Sequence, residues 1–151
     1  MVTKKYKLSA ESDTEIDIIG ITTGLNDYRL AYFLNKVASF NLQRLNDLPV
    51  FNEKLKVLRD YSLFTWTDDD HRLMYYLISN DHNDGKMIEQ YSQANYFLFI
   101  KGKHKAQDSK SLQSLIRKIP SVTFVFVPEI LKIKELSGIL QDLELHELNK
   151  T

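Results

Sequence analysis

A chain of 151 residues with 43% hydrophobic and 26% charged side chains has an ordinary globular composition. At this length it can bury roughly 70% of its unfolded surface in one sizeable core. Twenty Lys plus Arg balance twenty Asp plus Glu, a formal charge of zero that argues against a dedicated duplex-DNA or polyanion binder. With no cysteine there are no disulfides, thiol nucleophiles or thiolate metal sites, in keeping with a reducing cytoplasm.

The opening MVTKKYKLSAESD is basic but lacks an apolar h-region, so no secretory signal is expected. The longest dense apolar run, Val122 to Val127, is far short of the roughly 20 residues that span a bilayer. The expectation is a cytoplasmic single domain over residues 1–151, with soft ends at 1–4 and 147–151 and no membrane partner.

Taken in order, Ile16 to Ile21 is β-branched and closed by Thr22-Thr23-Gly24, which reads as a strand with Tyr6–Leu8 as an edge partner. Asn26 or Asp27 then caps a helix over 27–39, whose Leu30, Phe33, Leu34 and Val37 form one apolar face. Residues 40–57 carry Pro49 and mixed polarity, and read as an irregular connection with room for a short strand. Tyr61–Thr67 and Leu73–Ile78 form a hairpin about the polar Asp68–His71, and Asn80–Gly85 is a second turn cluster. A strand at Tyr96–Ile100 ends at Lys101-Gly102. Asp108 or Ser109 caps a helix with Leu112, Leu115, Ile116 and Ile119 on one face, and Pro120 ends it. Val122–Val127 is apolar on both faces, as in an interior strand. Pro128 opens a last helix with Ile133, Leu136, Leu140 and Leu143 as its stripe.

Helices spaced through a mostly antiparallel sheet predict an α+β two-layer sandwich with the helices mainly on one face. The first topology is a ferredoxin-like core with an inserted hairpin; a longin- or PAS-like arrangement is the alternative.

Three stretches resemble the IPExxxVDY family of uncharacterised bacterial proteins: Asp27-Tyr28-Arg29-Leu30, Tyr75 to Asn80, and Tyr96 to Gly102. They follow the family's order and cover roughly residues 15 to 130. The name-giving motif falls on Ile88 to Tyr96 in degenerate form. Ile88 and Tyr96 match, whereas Glu89, Gln90, Ala94 and Asn95 replace Pro, Glu, Val and Asp. The resemblance implies a cytoplasmic protein of the Bacteroidetes lineage and brings no activity, cofactor or partner. Amides at Gln90 and Asn95 keep hydrogen-bonding capacity but cannot exchange a proton near neutral pH. A structural role for the motif is therefore preferred over a lost chemistry.

No catalytic, cofactor-binding or metal-ligating residue emerges. Histidines 71, 82, 104 and 146 never take i, i+4 spacing. Asp68-Asp69-Asp70-His71 could gather a hard cation but reads better as a solvated turn, and a calcium-loop count from Gly85 fails at Tyr91. Gly20–Gly24 lies where an anion could bind, yet it has neither P-loop nor dinucleotide fingerprint.

Three function classes remain. The first is a non-enzymatic protein–protein interaction domain, with a homodimer among its forms. Tyr75 and Tyr76 face opposite sides of one strand, so one should be exposed, and with Ile139 and Leu143 of the broad C-terminal helix they are candidate interface residues. The second is an RNA-binding module. Residues 101–120 carry six positive side chains against Asp108 alone, with Lys101, Lys103, Lys105, Arg117 and Lys118 as candidate phosphate contacts. The third is a small enzyme or ligand pocket joining Gly20–Gly24 to Asp68–His71, which requires those turns to meet.

Overall fold

The computed structural model describes residues 6–7, 15–103 and 106–148. In chain order the elements are β1 (Tyr6–Lys7), β2 (Glu15–Thr23), α1 (Asp27–Ala38), β3 (Gln43–Asn52), β4 (Val57–Asp68) and β5 (Leu73–Ser79). The short strands β6 (Asp81–His82) and β7 (Gly85–Lys86) follow, then β8 (Tyr96–Lys101), α2 (Ala106–Arg117), β9 (Val122–Phe126) and α3 (Leu136–Leu148). Single 3-10 turns at Glu89–Tyr91 and Ile130–Lys132 precede β8 and α3.

Seven strands form one sheet in the order β1-β2-β8-β5-β4-β3, with β9 pairing the free edge of β2 beyond β1. Every pairing is antiparallel. Within it, β9-β2-β8-β5, with α1 after β2 and α2 after β8, reproduces the order of a ferredoxin-like βαββαβ core. The hairpin β3–β4 is inserted after α1 and widens the sheet. The α+β class and the mostly antiparallel sheet stand as expected.

Alternation along β8 divides two cores, because successive side chains of a strand point to opposite faces. Leu98 and Ile100 pack with Ile19, Ile21 and Leu77 beneath Leu30 and Leu34 of α1 and Ile116 of α2. Phe97 and Phe99 pack with Ile18, Tyr76 and Ile78 beneath Ile139, Leu140 and Leu143 of α3. Two of the three helices thus share one face, and α3 seals the other. Burying Phe97 and Phe99 completely contributes roughly 2–3 kcal/mol each, so this strand is the centre of both cores.

Local signals explain several boundaries. The Asn26 side chain accepts the Arg29 N–H at 3.3 Å and caps α1, while Ser39 ends the helix in the left-handed region at φ 57°.

Four expectations are corrected. Residues 43–52 are a full strand, because a register shift between Leu45 and Leu48 breaks the alternation and Pro49 is tolerated on an edge. β9 pairs with β2 alone, so it is not interior, and Phe124 is left 53% exposed. α2 already includes Asp108 and Ser109 in its first turns, so neither is its cap. The chain after Pro128 makes only a 3-10 turn that buries Ile130, and Ile133 is buried before α3 starts at Leu136.

Gly20 opposes Phe126 across the β2–β9 pair, and a Cβ at Gly20 would overlap the Phe126 ring. The ring lies where a side chain would stand, stacking on Phe124 at 5.4 Å and meeting Tyr91 at 5.5 Å. Gly20→Ala is expected to cost about 1–3 kcal/mol in urea unfolding, as overpacking does. Phe126→Ala should then cost less in the Gly20→Ala background than in the wild type; equal costs would contradict the overlap.

Candidate functional site

β5 and β8 are neighbours in the sheet, yet the chain does not join them by a tight turn. It leaves at Asn80, makes the β6–β7 hairpin and a 3-10 turn, and returns at Asn95. Asn80 holds this excursion together and is completely buried. Its amide nitrogen donates to the Ala94 carbonyl at 2.9 Å and reaches those of Tyr91 at 3.3 Å and Ile88 at 3.5 Å. Its side-chain oxygen accepts the Ile88 N–H at 2.7 Å. The backbone adds Asn80 N–H to Asn95 carbonyl at 2.8 Å and Met87 N–H to Asn80 carbonyl at 2.9 Å. Only an amide supplies both donors and an acceptor in so small a volume.

The return is equally fixed. Asn95 accepts the Thr23 N–H at 2.9 Å and donates to the Asp81 carboxylate at 3.0 Å, while its own N–H donates to the Ile21 carbonyl at 2.9 Å. Tyr96 donates its hydroxyl to the Leu25 carbonyl at 2.8 Å, and burial, reinforced by Asp27 and Asp81, pushes its phenol up to about 12. The Glu129 N–H donates to the Tyr91 hydroxyl at 2.7 Å, tying the excursion to the segment before α3.

Between this excursion, the far end of the β3–β4 hairpin and the start of α3 lies a cleft of about 420 Å³. Val50 and Tyr61 come from the hairpin, Met87, Glu89 and Gln90 from the excursion, and Glu135 and Ile139 from the α3 side. Lys54, Lys86 and Lys134 stand around it together with Glu53, Glu89 and Glu135. The Glu89 N–H donates to Glu135 Oε2 at 3.3 Å, and Lys86 pairs with Asp81. Burial pushes the Tyr61 phenol up, and the Arg59 guanidinium beside it pulls it partly back. The volume suits a small organic ligand.

The motif positions Ile88, Gln90, Asn95 and Tyr96 all belong to the excursion or its return into β8, and one of them faces the cleft. Ile88 is a fully buried anchor, Gln90 lines the cleft, and Asn95 and Tyr96 fasten the excursion to β2 and to the entry of α1. The interface candidates are corrected. Tyr75, Tyr76, Ile139 and Leu143 are all 8% exposed or less, because both faces of β5 are covered by helices. Leu136, Ile139, Leu140 and Leu143 of the last helix pack on its own sheet, whereas Leu145 and Leu148 stay exposed.

The basic candidates do not form one patch. Lys101 and Lys103 lie at the end of β8 that pairs with Ile16 and Met74. Arg117 donates to the Val125 carbonyl at 3.4 Å, and Val125 pairs with Ile21 at the opposite end, with Lys118 next to it. A strand the length of β8, about 17 Å, separates the two groups. Lys105 and His104 lie outside the described residues. Gly20–Gly24 and Asp68–His71 also occupy opposite ends of the sheet, so no pocket joins them. His71 Nδ1 lies 2.8 Å from Asp68 Oδ2, and the His71 N–H donates to Asp68 Oδ1 at 3.3 Å, which closes the β4–β5 turn.

Sequence reasoning saw Asn80 only as a turn former and passed over Arg59 and Glu135. Nothing in their sequence neighbourhood announces the cleft, which is assembled from three distant segments. No family model, curated protein or solved structure matches this chain.

Asn80→Ala leaves the buried Ala94 carbonyl and the Ile88 N–H without their partner and is expected to cost about 3 kcal/mol in denaturant unfolding. Asn80→Asp keeps the acceptor but buries a charge, so its folded pKa should rise. Its deficit relative to wild type should shrink as pH falls through that raised value. A deficit that is the same at pH 4 and pH 7 would contradict this. Tyr96 has its pKa raised from 10.0 to about 12, so its protonated form contributes stability below pH 10 that is lost as pH rises through about 12. Tyr96→Phe should be less stable by about 1 kcal/mol at neutral pH, and unfolding curves should show the gap narrowing between pH 10 and 12.

Proposed function

We propose that this is a cytoplasmic, non-enzymatic protein-interaction domain whose docking element is the outer end of the β3–β4 hairpin. The observation that carries the reading is four exposed large apolar side chains there: Phe51, Leu55, Val57 and Leu58 are 43–67% exposed, with Val57 on the face opposite Leu58. Phe51 and Leu58 oppose each other across the hairpin and so share a face. That side of the sheet is covered by α1 and α2 over β2, β8 and β5, and the inserted hairpin runs past their cover.

Large apolar side chains kept in water cost solubility, and exposed apolar surface is what partner recognition uses. The hairpin is also firmly based: Leu48, Val50, Tyr61 and Leu63 behind it are buried, and Asp142 of α3 accepts the Phe51 N–H. A rigid base lowers the ordering cost of docking. The register shift near Leu45 and Pro49 blunt the β3 edge against indiscriminate strand pairing, which favours recognition through side chains at the tip. No helix among the described residues is long and apolar enough to cross a membrane.

RNA binding draws less support, because its candidate cations stand at two ends of the sheet. Affinity purification of the tagged protein, with and without ribonuclease, tests the reading. A protein partner should survive ribonuclease and be lost with Leu58→Glu, while Lys103→Glu leaves it in place. A partner released by ribonuclease, or one that Leu58→Glu still holds, would contradict it.

A further inference from the structure

β9 pairs β2 on one side, and among the described residues no strand lies on its other side. The backbone of β2 serves its two neighbours alternately. The Asn95 N–H donates to the Ile21 carbonyl and the Asn95 side chain accepts the Thr23 N–H, so odd-numbered residues of β2 turn their groups toward β8. Gly20 and Thr22 therefore bond β9 through Phe126 and Phe124, which stand opposite them. Val125, between those two, turns its N–H and carbonyl away from the sheet. Arg117 approaches that carbonyl from outside at 3.4 Å, the long end of hydrogen bonding.

The two edges of the sheet are built differently. β3 carries Pro49 and a register shift in its middle. In β9 the register shift lies at the Thr22/Thr23 step, ahead of Phe124, and Ser121–Val127 contains neither a charge nor a proline. An edge left in that state is a template for a further strand.

The faces beside this edge also differ. On the α3 side Phe124, 53% exposed, stacks on Phe126 at 5.4 Å. On the α2 side Val125 packs with Ile116, and Arg117 and Lys118 stand exposed where that helix ends. Among the described residues neither cation is in an ion pair, whereas Glu129 and Lys132, which follow β9, pair with each other at 3.2 Å. An added strand thus meets an aromatic ring on one of its faces and positive charge on the other. A second copy of β9 fits poorly, because antiparallel pairing about Val125 brings two Arg117 side chains together.

We infer that β9 accepts an extended segment of a partner protein in which acidic and apolar residues alternate, its acidic side chains toward Arg117 and Lys118 and its apolar ones on Phe124. Backbone bonds to Val125 supply affinity, and the period-two alternation of side chains supplies specificity. This edge lies at the end of the sheet opposite the β3–β4 hairpin and does not depend on the reading of the hairpin tip.

The test is a titration of the full chain with a capped hexapeptide alternating valine and glutamate, read by amide chemical shifts and by solvent exchange of the Val125 N–H. Shifts are expected at Phe124, Val125 and Arg117, and exchange of the Val125 N–H should slow at least about tenfold at saturation. The peptide with lysine for glutamate, and one with the same residues in two blocks, should each bind at least about tenfold more weakly. Arg117→Glu, at an exposed position, should reverse the preference between glutamate and lysine peptides, and Phe124→Ser should weaken the glutamate peptide severalfold. Leu58→Glu should bind it as the wild type does, so that failure here and failure at the hairpin are told apart. No binding up to about 1 mM, binding that leaves Val125 exchange unchanged, equal affinity for the lysine peptide, or a preference unmoved by Arg117→Glu would each overturn the assignment. A chain that protects the Val125 N–H by associating with itself would overturn it too, in favour of a second copy.

Discussion

The buried amide of Asn80 is the constraint on which the cleft end of the molecule depends. The Ala94 carbonyl and the Ile88 N–H of the excursion between β5 and β8 point inward at this side chain, away from any strand that could pair them. Each such group left unsatisfied in the interior would cost about 1–3 kcal/mol, so the excursion is either organised by Asn80 or opened to water. Organised, it buries Met87, Ile88 and Ala94 and presents Gln90 and Glu89 to the cleft. The cleft is thus a consequence of a hydrogen-bonding problem solved by one residue.

Around that constraint the sheet acts as a divider. β8 gives Phe97 and Phe99 to one core and Leu98 and Ile100 to the other, and the register with β2 and β5 fixes which helix covers each. The inserted β3–β4 hairpin extends beyond the helices above it. This leaves a rigid apolar tip on one side and, on the other, a wall of the cleft. The exposed apolar tip and one wall of the cleft therefore both derive from one insertion into a ferredoxin-like core.

Much of this architecture was legible in the sequence. Ile16–Ile21, Leu73–Ile78 and Tyr96–Ile100 announce strands through dense β-branched and aromatic residues, and Asn26 announces the first helix through its capping oxygen. β3 was hidden because a register shift and Pro49 erase the period-two pattern that marks a strand. β9 was misplaced because Phe124 and Phe126 look like core, whereas one is exposed and the other fills the space that Gly20 leaves open. The candidate site was less legible still. Tyr75 and Tyr76 were expected to leave one ring exposed, but a strand covered on both faces buries both. Asn80, Arg59 and Glu135 are unremarkable in sequence, since their significance lies in burial and in the partners they lack or satisfy. Asn95 bonds a backbone N–H and a carboxylate, a role that needs no titratable proton.

Native-state hydrogen exchange tests most directly whether Asn80 makes the excursion part of the folded core. The N–H groups of Ile88, Met87 and Asn95 should exchange only through the global unfolding that also releases Phe97 and Phe99 of β8, with the same free energy and denaturant dependence. Exchange of Ile88 and Met87 through a local opening, orders of magnitude faster than β8 and insensitive to denaturant, would contradict the account.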